Sequence, residues 1–498
     1  MKRLYQVLLV IIVLWVSHSL IFMREAKKIN REEPYIYFSG EELFKDTLPY
    51  DQPYDHRPFD WPTSTPEKQG LDSYIFLNAN EKADELGFMY SLLVIRNGYL
   101  IAEQYFNGKN KYYPFNLWST SKSVIGALIG IALKENYLTS IDQKMMDFFP
   151  EYITPGLDPR KYDITIRHLL QMRAGYPDES SLYPGSTDTI FYLWIRSSDW
   201  MKFAIETPLE DDPGQTFHYS TPTTHILSGI ITKATGISAL DFAKKYLFDP
   251  LDIPDVGWNI DPQGYHRGGW DMYLTSRDMA RFGYLYLNNG LVDGKQIVPV
   301  KWVEDSLKVY SSGVSSYGVV KNWGYGYQWD IGNLADYHVY YRLGYGGQLI
   351  FNIPGLNMII VTTASTDPDR SVRYTHIALI YKLISYYILS PVRNWLGPPP
   401  YSPSGLSGMT VENRSLLQLE YLNVLKWQPS PRNEGVNISK YRIYQVQTGE
   451  EMVLLGETDA NRLEYWHRKI SDDAEYTYGI SSVTADNKES VAAIITVR

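Results

Sequence analysis

The chain predicts an α+β fold on a mainly antiparallel sheet, followed by a small β-sandwich. Three observations carry this. Hairpin patterns stand near both ends of the first 395 residues, and apolar runs of helical length lie between them. After a proline-rich break near residue 400, the texture changes to short strands between polar turns.

The elements follow in order. Lys2 and Arg3 precede an apolar run over 4–16, then Ser17-His18-Ser19 and a second apolar stretch ending at Met23. Residues 1–23 read equally as a signal peptide, with small residues at Ser17 and Ser19 for cleavage, or as an uncleaved anchor close to the ~20 residues that cross a bilayer. Both readings export the chain to a periplasmic or extracellular location, in the second case anchored to the membrane. Residues 24–62 mix charges, tyrosines and prolines without periodicity and read as an extended arm. The main domain spans 63–395. In it, 91–95 and 99–103 flank Asn97-Gly98, a pair suited to the positive φ angles of a two-residue hairpin turn. Helices are expected over about 119–134, from 164 onward, and over 276–288 with Gly290 just beyond. Strands at 349–353 and 358–362 join through Pro354-Gly355. Residues 396–410 form a Pro/Gly/Ser linker. In 411–498, runs such as 424–427, 441–444 and 476–480 recur at sandwich spacing.

Composition narrows the function. The 498 residues are 44% hydrophobic and 21% charged, with 42 tyrosines. A net charge of −9 gives no basic excess for phosphates, which argues against nucleic acid. The lack of cysteine excludes a thiol nucleophile, disulfides and thiolate metal sites. His218 and His225 lack an H-E-x-x-H context, so no metal is assigned, and no cofactor is called for. No serine sits in a G-x-S-x-G elbow. The acidic run Glu210-Asp211-Asp212 reads as a solvated loop rather than a glycosidase pair.

The strongest chemical signal is Ser119 three residues before Lys122, at the start of an apolar helix. At that spacing the side chains share a face, about 5–6 Å apart at Cβ. A lysine desolvated by burial can accept the serine proton. Ser119 would otherwise read as a helix N-cap, and Ser121 is the nearest rival nucleophile, though off the shared face.

Three further segments extend the pattern: 163–176, Pro213-Gly214 leading to Tyr219-Ser220-Thr221, and 274–283. With them goes the glycine-rich Arg342-Leu343-Gly344-Tyr345-Gly346-Gly347-Gln348. In order and spacing, over roughly 65–390, they resemble the serine β-lactamase-related hydrolases, nearest the branch of esterases and 6-aminohexanoate-dimer hydrolases. The resemblance implies a penicillin-binding-protein-like fold and a two-step acyl-enzyme mechanism. Ser119 would be nucleophile, Lys122 base and Tyr219 proton relay. Backbone N–H groups of Ser119 and of Gly346, Gly347 and Gln348 would hold the oxyanion, and Thr221, Tyr345 and Tyr176 would line the substrate. Two departures matter. The motif's usual asparagine is Thr221, and its usual lysine or histidine is replaced by the Gly344-Tyr345-Gly346-Gly347 segment, where a substrate carboxylate would need a cation. Arg342 is a substitute whose direction the sequence leaves open. Residues 411–498 resemble a fibronectin type III module, a spacer or a platform for a surface protein or polysaccharide.

The expectation is an exported serine hydrolase acting on a small-molecule ester or amide. The alternatives are a cell-wall D-amino-acid peptidase or β-lactamase, and an inactive ligand-binding scaffold.

Overall fold

The computed structural model describes residues 57–312, 320–366, 370–393, 400–414, 419–433, 436–446, 452–468, 470–471, 474–485 and 489–498. Residues 1–23, expected as leader or anchor, lie outside them, and among the described residues no single helix is long and apolar enough to cross a membrane.

The main sheet has eight strands: β1 (Met89–Arg96), β2 (Tyr99–Tyr105), β3 (Ser311–Ser312), β4 (Lys321–Tyr325), β5 (Asp330–Leu334), β6 (Tyr337–Gly344), β7 (Gln348–Ile353) and β8 (Met358–Ala364). They run in the order β2-β1-β8-β7-β6-β5-β4-β3, every pairing antiparallel. Asn97 and Gly98, at φ 51° and 80°, make the turn between β1 and β2, as their identity predicts. Strands β7 and β8 are buried along their whole length.

Side-chain alternation splits the sheet between two cores. Leu93, Ile95, Ile350, Ile359 and Val361 face the larger one, with helices α2 (Ser121–Lys134), α3 (Thr221–Thr235) and α4 (Ser276–Leu287). Leu92, Val94, Leu349, Phe351 and Ile360 face the other, against α1 (Ser73–Glu85) and α5 (Arg370–Lys382). Helix α2 is buried all round from Ser121 to Ala132. At Gly130 a Cβ would sit 2.3 Å from the Trp302 ring, so only glycine admits that ring, whose Nε1 donates to the Gly126 carbonyl at 3.1 Å.

The C-terminal unit is two facing sheets. Strands β9 (Ser404–Arg414), β10 (Leu419–Gln428) and β13 (Glu464–Arg468) form one, in the order β9-β10-β13. Strands β11 (Ile438–Val446), β12 (Met452–Asp459), β14 (Tyr476–Thr484) and β15 (Ala493–Val497) form the other, in the order β12-β11-β14-β15. Trp427 packs between them against Tyr441, ring centroids 5.4 Å apart. Val446 and Val491 join the core of α1 and α5, so this unit is docked on the main domain.

Three boundaries move. Strand β9 starts at Ser404, inside the expected linker 396–410, because its pairing with β10 already begins there. The described part of the expected arm, residues 57–62, is tied down: Phe59 N–H donates to Asp278 at 2.8 Å, and buried Trp61 donates to the Arg277 carbonyl. The helix expected from 119 is a 3₁₀ turn over Trp118–Thr120 before α2 proper.

Candidate active site

The Ser119 turn is backbone-strained. Trp118 takes φ 48°, uncommon for a bulky residue, while its N–H donates to Asn116 Oδ1 at 2.9 Å. This kink leaves Ser119 partly exposed, whereas Ser121 is fully buried and donates to the Trp118 carbonyl at 2.8 Å. The rival nucleophile is therefore occupied.

Lys122 is fully buried at the base of the site. Its Nζ lies 2.9 Å from Ser119 Oγ, 2.8 Å from Thr221 Oγ1 and 3.1 Å from the Gly269 carbonyl. An ammonium would donate to all three. A neutral amine donates to two and offers its lone pair to the serine proton. Burial pulls the Lys122 pKa down to about 7; the nearby Arg342 charge adds to that, and Glu179 and Asp330 oppose it.

Tyr219 is half-buried on the loop before α3, and its hydroxyl accepts from Arg342 Nη2 at 2.7 Å. Burial holds the phenol above its usual value against the pull of Arg342, so it is protonated at neutral pH. Lys122 Nζ lies over the same ring, 5.0 Å from its centroid.

Arg342, on β6, is 1% exposed and commits all three nitrogens. Besides Tyr219, Nε donates to the Ser119 carbonyl at 2.9 Å and Nη1 to Asp330 Oδ2 at 2.8 Å. Asp330 Oδ1 also accepts from Trp323 Nε1 at 3.0 Å, and burial raises its pKa against the opposing Arg342 charge. The direction that the sequence left open is thus set by the strand register: Arg342 stands two residues before Gly344 and so on the same face.

The glycine segment is a tight connection between two strands of the main sheet. Gly344 pairs with Gln348 at the end of β6, and Tyr345-Gly346-Gly347 turn into β7. The turn lies against the nucleophile: Thr120 Oγ1 donates to the Gln348 carbonyl at 2.7 Å, and a Cβ on Gly344 would stand 2.2 Å from the Leu117 carbonyl. Gly347, at φ 109°, donates its N–H to the Gly344 carbonyl at 3.1 Å. The Gln348 side chain bridges to the Ala364 backbone of β8 instead of facing substrate. Tyr345 packs on Trp118 with centroids 4.7 Å apart, beside the Trp194, Trp200 and Trp270 cluster.

Tyr176 does not belong here. Its hydroxyl donates to the Ile205 carbonyl at 3.3 Å in the helical core, its ring under Lys161 Nζ, so burial among apolar neighbours rather than substrate accounts for it. Thr221 opens α3 and holds Lys122, a role for its hydroxyl that the sequence left open. Two groups escaped sequence reading. Glu179 accepts the Thr221 N–H, and burial raises its carboxyl above the usual range against the pull of Lys122. Gly269 brings a carbonyl from 147 residues away to Lys122. Neither has a local signal, because each acts through a loop that only the folded chain brings close.

His218 and His225 pair with Asp211 and Asp261, and among the described residues no group of three or more His, Asp or Glu side chains is arranged to hold a metal.

A beta-lactamase family model matches residues 89–382. The 6-aminohexanoate-dimer hydrolase of Paenarthrobacter ureafaciens is 26% identical over 300 residues, covering 57% of this chain and 74% of that one. An uncharacterized protein of Alkalihalophilus pseudofirmus is 22% identical over 309 residues, covering 54% and 82%. Among solved structures, EstCE1, a hydrolase with promiscuous acyltransferase activity, superimposes with TM-score 0.51 at 16% identity, over 62% of this chain and 97% of its own. The matched span holds the Ser119-Lys122 pair, the Tyr219 loop and the Gly344–Gln348 turn, and the chain belongs to the beta-lactamase family of hydrolases.

Proposed function

We propose that this chain is a serine hydrolase that cleaves a carboxylic ester or small amide through an acyl-enzyme on Ser119. The observation that carries this is the buried Lys122 amine 2.9 Å from the exposed-side hydroxyl of Ser119, held there by Thr221 and Gly269. Ser119 Oγ attacks the carbonyl carbon as its proton passes to Lys122 Nζ. The proton then moves through Tyr219 to the leaving alkoxide or amine as the scissile bond breaks. Water attacks the acyl carbon by the reverse path, releasing the acid and restoring the serine. Arg342 holds the Tyr219 oxygen without lending a free charge to substrate.

That commitment bears on the substrate. With Gly344 where the family carries a cation, the charge of Arg342 is spent on Asp330, Tyr219 and the Ser119 carbonyl rather than held for a substrate carboxylate. The matched relative's name, 6-aminohexanoate-dimer hydrolase, agrees with an amide or related carbonyl target. p-Nitrophenyl butyrate and a chromogenic cephalosporin, assayed together, test it. A missing charge-assisted contact is worth about 2–3 kcal/mol, so kcat/KM for the ester should exceed that for the cephalosporin by about 100-fold. Faster cephalosporin turnover overturns the ester reading in favour of a β-lactamase or D-amino-acid peptidase.

The pH profile tests the base. Lys122 must be neutral to take the serine proton, so kcat/KM should be flat above about pH 7.5 and fall tenfold per unit below the amine's pKa of about 7. A plateau reaching pH 5 removes Lys122 from that role.

Export fits the N-terminal pattern, and the 3+4 strand arrangement of the C-terminal sheets supports a fibronectin type III-like spacer or surface-binding module.

A further inference from the structure

We infer that His225 and Asp261 position Lys122, by clamping the Gly268-Gly269 segment so that the Gly269 carbonyl stays on the amine. The inference rests on Lys122 acting as base in the proposed hydrolase.

His225 stands four residues after Thr221 on α3, so the residue that bonds Lys122 directly and the residue that grips the loop share one helix face. Both His225 and Asp261 side chains are fully buried. Asp261 Oδ1 accepts the N–H groups of Gln263 and Tyr265 at 2.9 and 2.8 Å, and Oδ2 lies 2.8 Å from His225 Nε2. With both carboxylate oxygens accepting, Nε2 carries the proton. The bare Nδ1 accepts the Gly268 N–H, a long bond at 3.4 Å. One tautomer satisfies both contacts. The rings of Trp194 and Trp200 lie against the imidazole at 5.5 and 5.8 Å, and the Arg267 guanidinium stacks over Trp200 at 4.8 Å, paired with Asp271.

The loop is built to lie flush on the helix. A Cβ at Gly268 would stand 2.3 Å from the Thr224 carbonyl, and one at Gly269 2.2 Å from Thr221 Cγ2 and 3.1 Å from Lys122 Nζ. The carbonyl of the following residue, Gly269, is thereby brought to Lys122 at 3.1 Å. The other groups facing that amine are Glu179, Asp330, Arg342 and the Tyr219 phenol. Asp261 and His225 touch neither Ser119 nor the reacting atoms, so they act through the loop.

Asp261→Asn tests this. The two backbone N–H groups keep the amide oxygen, so the NH2 must face Nε2, which then has to accept. The histidine proton moves to Nδ1 and opposes the Gly268 N–H. In the full-length protein labelled with 15N-histidine, His225 should appear as the Nε2–H tautomer in the wild type and as Nδ1–H in the variant. With p-nitrophenyl butyrate, kcat should fall at least about tenfold with KM little changed, the scale of a lost positioning contact. The acid limb should also move to lower pH, because an ammonium without its carbonyl acceptor is less favoured. His225→Asn keeps an acceptor where Nδ1 stood, and its limb should stay at the wild-type pH. The double variant His225→Leu/Asp261→Asn keeps the turn acceptor, buries no charge and should shift the limb as Asp261→Asn does, which decides the matter if that single variant does not fold. A wild-type Nδ1–H tautomer, or an unmoved limb and unchanged kcat in the folded variants, overturns the clamp. A wild type that neither hydrolyses esters nor reacts with a fluorophosphonate overturns the hydrolase reading instead, and the tautomer measurement still judges the clamp.

Discussion

Ser119→Ala abolishes fluorophosphonate labelling and lowers p-nitrophenyl butyrate hydrolysis by about 10⁴–10⁶, the range seen when a nucleophile that works as a unit with its base is removed. Lys122→Met does nearly the same. Without an amine 2.9 Å from the hydroxyl, Ser119 has no acceptor for its proton during attack. The double variant should be no worse than either single one, because the two groups perform one step. Stability should move the other way. Lys122 is a fully buried amine whose charged form is disfavoured by its surroundings, so a methionine of similar length removes a desolvation cost. Lys122→Met should therefore melt at or above the wild-type temperature while being inactive. An inactive variant that is also several degrees less stable would mean that the lysine is mainly a structural link between α2, Thr221 and Gly269. Retained labelling of Ser119→Ala would move the nucleophile elsewhere.

What the sequence made legible was local. The Asn97-Gly98 turn, the helix entry near residue 164 and the spacing of Ser119 to Lys122 depend on residues close in the chain, and the folded chain has each of them, the helix opening on a capping box at Thr165. The cap illustrates the limit as well. Thr165 Oγ1 takes the His168 N–H and His168 Nδ1 takes the Thr165 N–H, a histidine in the place where glutamate or glutamine is usual. What stayed hidden depends on register and on distant loops. Arg342 points at Ser119 only because Gly344 pairs with Gln348 across a three-residue turn; a slip of one residue would send it to the opposite face. Asp330 meets Arg342 through the pairing of β5 with β6, and Glu179 reaches Thr221 across a loop. Tyr176 erred in the other direction. It follows a motif that resembles the family's, but burial in the helical core decides its environment.

Arg342→Ala should be the most destabilising single change at the site. It strips Asp330 of its cation and leaves that carboxylate buried against Trp323 Nε1, a neutral donor. Breaking a buried pair from one side costs about 3–5 kcal/mol, measurable as a fall in the denaturation midpoint. Arg342→Lys should recover only part of this, since one ammonium cannot reach the Ser119 carbonyl, the Tyr219 hydroxyl and Asp330 in the geometry the guanidinium fork spans. The double change Arg342→Met/Asp330→Leu separates stability from catalysis. Replacing both partners with apolar groups of similar size removes the stranded charge and should restore most of the lost stability. It does not restore the donor to Tyr219. Proton relay through a loosened phenol should then leave kcat lower by about 10²-fold, the scale of one general acid–base contribution. If activity returned together with stability, Arg342 would be a structural ion pair and Tyr219 would need no partner. If stability returned and kcat did not, the guanidinium is what holds the phenol at the reacting bond.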